Sequence, residues 1–153
     1  MLALHQALDR LVSAVRPLPA AEVEDVETFE ALGRVLAEEV RSALDVPPGD
    51  NTSMDGYAMR AADVLRAGLQ LPVSQRVPAG VVPQPLLPGT AARVFTGAQI
   101  PPGADAVVMQ EQCEAVEGGV RVQAVPESGQ WIRRRGEDVQ AGAVVLARGL
   151  RGE

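Results

Sequence analysis

Proline and glycine break this chain before any regular element can grow long. Twelve prolines and 15 glycines are distributed over 153 residues, and both residues punctuate structure, proline by lacking a backbone N–H and glycine by tolerating turn geometry. Between the breaks lie short Val-rich runs, Val73 to Val77, Ala92 to Phe95, Ala106 to Met109 and Val120 to Val125, whose alternating or continuous apolar residues predict strands. Glu117-Gly118-Gly119 separates two such runs and reads as a hairpin turn. Ala143 to Ala147 reads as a further strand, and Val40 to Val46 as an extended segment closed by Pro47, Pro48 and Gly49. Aromatics make up only 3% of the chain, so the core must be built from Val, Leu and Ala. The expectation is a strand-rich, loop-rich fold.

Helical spacing survives in three places. Leu4, Leu8, Leu11, Val12 and Val15 recur on one face of an amphipathic helix that Pro17 and Pro19 end, and so narrow a stripe calls for cover from another domain or a second chain. Phe29, Leu32, Val35 and Leu36 predict a helix over 28–37 with Thr28 as its cap, and Met59 to Ala67 is the third helical segment.

A formal charge of -6 has the wrong sign for affinity to nucleic-acid phosphates. Cys113 is the one cysteine and His5 the one histidine, which excludes an intrachain disulfide and a structural zinc site. No Walker loop, HExxH motif or Cys-His pair is present, and a Ser-His-Asp site would have to be assembled around His5 in the first helix. The N-terminus has no leader pattern and no stretch has the apolar length of a membrane span, so the cytoplasm is the expected location, with neither membrane nor nucleic acid as partner.

Three loops combine polar groups with backbone freedom. Asp50 to Ala58 contains Asp50, Thr52, Ser53 and Asp55 ahead of Gly56. These groups suit a hard cation or a substrate approaching Gly56, or they simply cap a following helix. In the second loop, Thr96 and Gly97 after a predicted strand offer either an anion nest or an ordinary turn. The third, Arg133 to Asp138, sets three guanidinium groups beside Glu137 and Asp138 around Gly136. It reads as a phosphate-binding element or as an exposed strand whose charges pair with one another.

In order along the chain, these segments resemble the molybdopterin molybdenumtransferase family, also called the MoeA and gephyrin E-domain family. Ala31-Leu32-Gly33-Arg34-Val35-Leu36-Ala37-Glu38 matches its "ALGRVLAE" helix, and Ser53-Met54-Asp55-Gly56-Tyr57-Ala58 its "AMDGYA" signature except at the first position. Val94-Phe95-Thr96-Gly97-Ala98, with Pro101 to Val108, is similar to "IFTGAPLPxGADAVV", and Arg134-Arg135-Gly136-Glu137-Asp138-Val139 to "RRRGEDI". Gly49 stands where the family usually has Phe, Ser53 where it has Ala, and Gln99 where it has Pro.

The resemblance implies an α+β fold: an N-terminal amphipathic helix in residues 1–22, an elongated β-rich linking domain from 23–47 and 134–153, and an inserted mixed, β-barrel-like domain over 48–133. It covers only the front of the family, whose members continue with a larger α/β domain and a small C-terminal β domain. It also implies insertion of molybdenum from molybdate into adenylylated molybdopterin with release of AMP, assisted by Mg2+ or another divalent cation. The full-length protein would be a homodimer whose cleft faces two subunits, with molybdopterin adenylyltransferase as substrate donor. By motif position, Asp55, Thr96 and Asp138 would be catalytic, with Asp55 also on the metal. Ser53, Gly56, Gly97, Arg135 and Glu137 would contact substrate. A chain of this extent would be inactive alone, and its second reading is a non-catalytic binding or dimerisation module.

Overall fold

The computed structural model describes residues 3–16, 19 and 22–152. They divide into two compact units, one formed by residues up to 40 with those from 146 onward, the other by residues 41–145. Two short strands, β1 (Val40–Arg41) and β10 (Val144–Leu146), form a two-stranded sheet.

In the first unit, Leu4–Ala14 forms α1, the one α-helix among the described residues. Its apolar side chains Leu4, Leu8, Leu11 and Val12 are all exposed. Pro17 lies outside the described residues, so its expected role in ending this helix is not part of the structure.

The expected helix over 28–37 does not form, and Ala31 to Glu38 is not helical either. Only Thr28–Glu30 makes a single 3-10 turn, and Thr28 gives no side-chain cap. Gly33 then adopts φ +78°, a left-handed conformation that ends helical propagation. Beyond it the backbone pairs across to the chain end: Gly33 N–H donates to the Gly152 carbonyl, Leu36 N–H to Leu150, Gly149 N–H to Leu36 and Gly152 N–H to Arg34. A helix would have used those groups internally, so long-range pairing overrides the local period. Phe29 consequently remains 99% exposed.

The second unit contains β2 (Asn51–Thr52), β3 (Gly56–Met59), β4 (Leu69–Val77), β5 (Ala91–Val94), β6 (Ala106–Met109), β7 (Cys113–Val116), β8 (Gly119–Val122) and β9 (Ile132–Arg133). Six of these make a curled half-barrel sheet in the order β6-β3-β5-β4-β8-β7. All pairs are antiparallel except β4 with β5. Val116 and Gly119 pair across the loop Glu117-Gly118, and Gly118 takes φ +69°, as the hairpin reading requires.

Both faces of the sheet are packed, which is why β5 and β6 read as nearly continuous apolar runs. Ala58, Val77, Ala92, Val94 and Val107 join Leu86 and Ala98 in one cluster; Met59, Leu71, Ala91, Val108, Val120 and Val122 join Val64 in the other. Along β4 the facing residues change side. Leu71 belongs to the second cluster and Val77 to the first although both are odd-numbered, because the register slips between Val73 and Gln75. One extra residue at such a bulge inverts a period of two.

The helix expected over 59–67 is also replaced. Gly56 to Met59 pairs with β5 on one side and β6 on the other, and Met59 is fully buried. After it only Ala61–Asp63 makes a 3-10 turn, whose first N–H donates to Asp105 Oδ1 at 2.7 Å. Starting a helix at Met59 would take a central strand's last residue off the sheet. Cys113 is half-buried on β7, and burial pushes its thiol up to about 11, which leaves it inert as a nucleophile near neutrality. No helix among the described residues is long and apolar enough to cross a membrane.

Candidate functional site

The three loops singled out in the sequence converge on β2, entirely within the second unit. Thr52 N–H donates to the Ala98 carbonyl at 3.0 Å, Gly97 N–H returns to the Thr52 carbonyl at 2.9 Å, and Ile100 N–H donates to the Asp50 carbonyl at 3.0 Å. On its other side β2 pairs with β9, Asn51 opposite Arg133 and Thr52 opposite Ile132. Ser53 continues that edge, with both its N–H and its hydroxyl directed to the Trp131 carbonyl. Thr52 is the buried pin of the junction. Its hydroxyl donates to the Met54 carbonyl at 2.6 Å and accepts from Met54 N–H at 3.1 Å, turning the chain toward Asp55. None of the first loop's polar residues caps a helix, since β3 follows.

Asp55 and Thr96 meet directly. Asp55 Oδ1 accepts Thr96 N–H at 2.8 Å and the Thr96 hydroxyl at 2.7 Å. These two bonds, the backbone one foremost, hold the Asp55 carboxyl below the usual carboxylate range; partial burial opposes them and the nearby Arg93 charge adds to them. Oδ2 of Asp55 takes no hydrogen bond from the described residues.

This arrangement corrects the reading of Thr96-Gly97 as an anion nest. Thr96 N–H serves Asp55, Gly97 N–H serves Thr52, and Ala98 N–H donates to the Phe95 carbonyl at 2.7 Å. All three turn donors are thus consumed within the protein, and the group Thr96 presents is the carboxylate it holds. Gly97 does require its glycine, with φ +81°. At Gly56 the idea that a missing side chain leaves room for a ligand is likewise corrected: a Cβ there would stand 2.1 Å from the Val108 carbonyl oxygen, so neighbouring strand backbone fills the space.

The third loop resolves into paired charges. Arg133 binds Asp138 through Nη2 and lies 3.7 Å from Glu137 through Nε. Arg134 Nη1 reaches Asp50 Oδ2 at 2.7 Å, and Arg135 Nε reaches Asp45 Oδ2 at 2.6 Å. Backbone donors complete the carboxylates: Arg135 N–H to Asp50 Oδ1, Ala141 N–H to Asp45 Oδ1 and Arg134 N–H to Glu137 Oε2. Ion pairs this exposed add little net stability, so their main consequence is to fix the loop. Of the two readings left open by the sequence, pairing within the loop holds for Arg133 alone; Arg134 and Arg135 pair with Asp50 and Asp45 outside it, and 68% of the Arg135 side chain remains accessible. Asp138 and Glu137 also line an open groove with Gly136, Val139, Gln140 and Ala143.

Asp45 is depressed chiefly by the Ala141 N–H and then by Arg135, and Asp50 chiefly by the Arg135 N–H and then by Arg134. With Asp55 also depressed, the unfolded chain binds more protons than the folded one between the folded values and the ordinary Asp value of about 3.9. The stabilisation from these groups is therefore complete above that value and is lost as pH falls through the depressed folded values. Urea titrations should show stability level near neutrality and declining on acidification below about pH 4. Asp45→Asn should lessen that slope, and an unaltered slope would remove Asp45 from the account.

Arg93 and Gln110 were not among the residues singled out from sequence. Arg93 Nη1 donates to the Gly56 carbonyl at 3.0 Å and Nη2 to Gln110 Oε1 at 2.6 Å. The signal was a lone cation inside the apolar run Ala91 to Val94.

Comparison with known proteins agrees with the motifs. Residues 2–151 match the family described as MoeA N-terminal region (domain I and II). The chain is similar to the molybdopterin molybdenumtransferase of Synechococcus elongatus, 40% identical over 99% of this chain and 39% of that relative. It is also similar to that of Haemophilus influenzae, 42% identical over 97% of this chain and 37% of the relative. The chain thus spans less than two fifths of the length of these relatives. A crystal structure of the molybdopterin biosynthesis moeA protein from Pyrococcus horikoshii OT3 superposes with a TM-score of 0.76 at 42% identity, covering 82% of this chain and 34% of that one.

Proposed function

Since the chain belongs to the family of MoeA N-terminal regions, we propose that it supplies one wall of a site that inserts molybdenum from molybdate into adenylylated molybdopterin and releases AMP. The observation that carries this reading is the Asp55–Thr96 pair, a carboxylate kept ionised by two hydrogen bonds to one oxygen while the other stays available. Asp55 presents charge to the phosphoanhydride side of the substrate, and Thr96 orients it. Asp138, held by Arg133, adds a second carboxylate by motif position, with Glu137 beside it.

No group of three or more metal-ligating side chains occurs among the described residues. Mg2+ does not need one, because it commonly binds through one or two carboxylates together with substrate phosphates and water. Asp55, with Oδ2 uncommitted, fits that mode. When bound there, Mg2+ or another divalent cation would neutralise charge on the phosphate oxygens. Arg135, with 68% of its side chain accessible, and Ser53 remain the substrate contacts in this reading, while Gly97 shapes the turn that presents Thr96.

The rest of the reading concerns the protein in its cell: a cytoplasmic homodimer, receiving substrate from molybdopterin adenylyltransferase. Residues 48–133 act as the inserted domain, with 23–47 and 134–153 as the linking domain. Incubation of this chain with adenylylated molybdopterin, molybdate and Mg2+ should yield no AMP, and addition of the remaining domains of a relative should restore release. Release by the chain alone would show a complete site here. Failure on addition, with the domains shown to associate, would favour a non-catalytic binding or dimerisation module.

A further inference from the structure

We propose that Arg93 is a positioning residue for the Asp55–Thr96 pair, because one guanidinium braces both segments that bring the pair together. On the Asp55 side, Nη1 holds the Gly56 carbonyl at 3.0 Å, and Nη2 holds Gln110 Oε1 at 2.6 Å, while Gln110 N–H donates to the Asp55 carbonyl at 3.0 Å. The guanidinium carbon also lies 5.1 Å from the ring centre of Tyr57 on this side, and on the Thr96 side 4.6 Å from that of Phe95, the residue before Thr96.

Arg93 is half-buried and makes no ion pair among the described residues. Of the other arginines near the site, Arg133, Arg134 and Arg135 are matched to Asp138, Asp50 and Asp45, while Arg76, opposite Arg93 in the β4–β5 pairing, lies 4.7 Å from the centre of the same Phe95 ring but is not hydrogen-bonded to the Asp55 segment. Arg93 instead spends its donors on a carbonyl and an amide, and its charge acts on Asp55 at longer range. A planar fork with ring-stacking faces can serve all these partners at once, whereas an ammonium cannot. Strand β5 delivers it there, with Arg93 opposite Tyr57 in the β3–β5 pairing. This role rests on Asp55 being the carboxylate that meets substrate.

The test is an NMR pH titration of the Asp55 carboxyl carbon and the Thr96 amide in the wild-type chain, Arg93→Gln, Arg93→Lys and Gln110→Ala. In the wild type the two signals should titrate together, below the ordinary carboxylate range. In Arg93→Gln the Asp55 midpoint should move up and the Thr96 amide should lose its response. Arg93→Lys should recover part of the midpoint without recovering the Thr96 response. Gln110→Ala, which leaves the packed sheet untouched, should move both signals in the same direction by less, so the result does not hang on Arg93→Gln folding.

Unchanged signals in the folded variants would overturn the proposal, as would full recovery in Arg93→Lys, which would reduce Arg93 to a point charge. With the remaining domains added, Arg93→Gln should lower kcat roughly 10- to 100-fold with KM nearly unchanged. Altered signals with normal turnover in both Arg93→Gln and Asp55→Ala would leave the brace standing and remove the functional reading.

Discussion

Gly56→Ala should strongly destabilise the larger unit. The added Cβ would lie 2.1 Å from the Val108 carbonyl oxygen and 3.0 Å from its carbonyl carbon, and both are backbone atoms of the paired strand β6. Relief would require moving β3, which is hydrogen-bonded to β5 on its other edge and carries the buried residues Ala58 and Met59. Overpacking against rigid backbone is costlier than against a side chain, and about 3 kcal/mol or more is expected. That corresponds to a fall in Tm of roughly 10 °C or more. Gly49→Ala is the matched control. Its Cβ would meet only Gln99 Nε2, at 4.0 Å, and should alter stability by no more than about 0.5 kcal/mol. Equal Tm values for the two variants would contradict the close approach of β3 to β6.

Asp55→Ala and Asp55→Asn should each cost about 100-fold or more in AMP release by the reconstituted enzyme while leaving the chain folded. The asparagine variant is the more informative. Its amide oxygen can still accept from Thr96 N–H and the Thr96 hydroxyl, so the turn geometry persists while the charge is gone. Thr96→Val removes the hydroxyl bond but keeps the N–H, and a loss of only about 10-fold is expected from one donor of two. Wild-type rates in Asp55→Asn would sink the idea that ionised Asp55 acts on the substrate. A Thr96→Val defect as large as that of Asp55→Ala would assign Thr96 a direct part.

Strand positions were legible because their signals are local. Val73 to Val77, Ala106 to Met109 and the Gly118 turn announce themselves through apolar runs and backbone permissiveness. The helical periods were equally local and in two places misleading. Phe29, Leu32, Val35 and Leu36 have helical spacing, yet Gly33 breaks the segment and residues 33–36 pair with 149–152. Tyr57 to Met59 was drawn into the sheet because strands on both edges compete for the same backbone groups. Neither competitor is visible in a window of neighbouring residues.

By itself the sequence determined the family, through four ordered motifs, and named the residues Asp55, Thr96 and Asp138, since residue identity and spacing are properties of the chain alone. Tertiary structure decided what those residues are to one another. The ladder through β2 joins the three loops, and only folding sets the Thr96 donors on Asp55 rather than on an anion. It also matches each arginine of Arg133 to Arg135 to an acid up to 90 residues away, and leaves Arg93 to brace the pair. The reason is that hydrogen bonds and charge pairs form between groups made neighbours by long-range pairing, and a motif specifies such groups without specifying their partners.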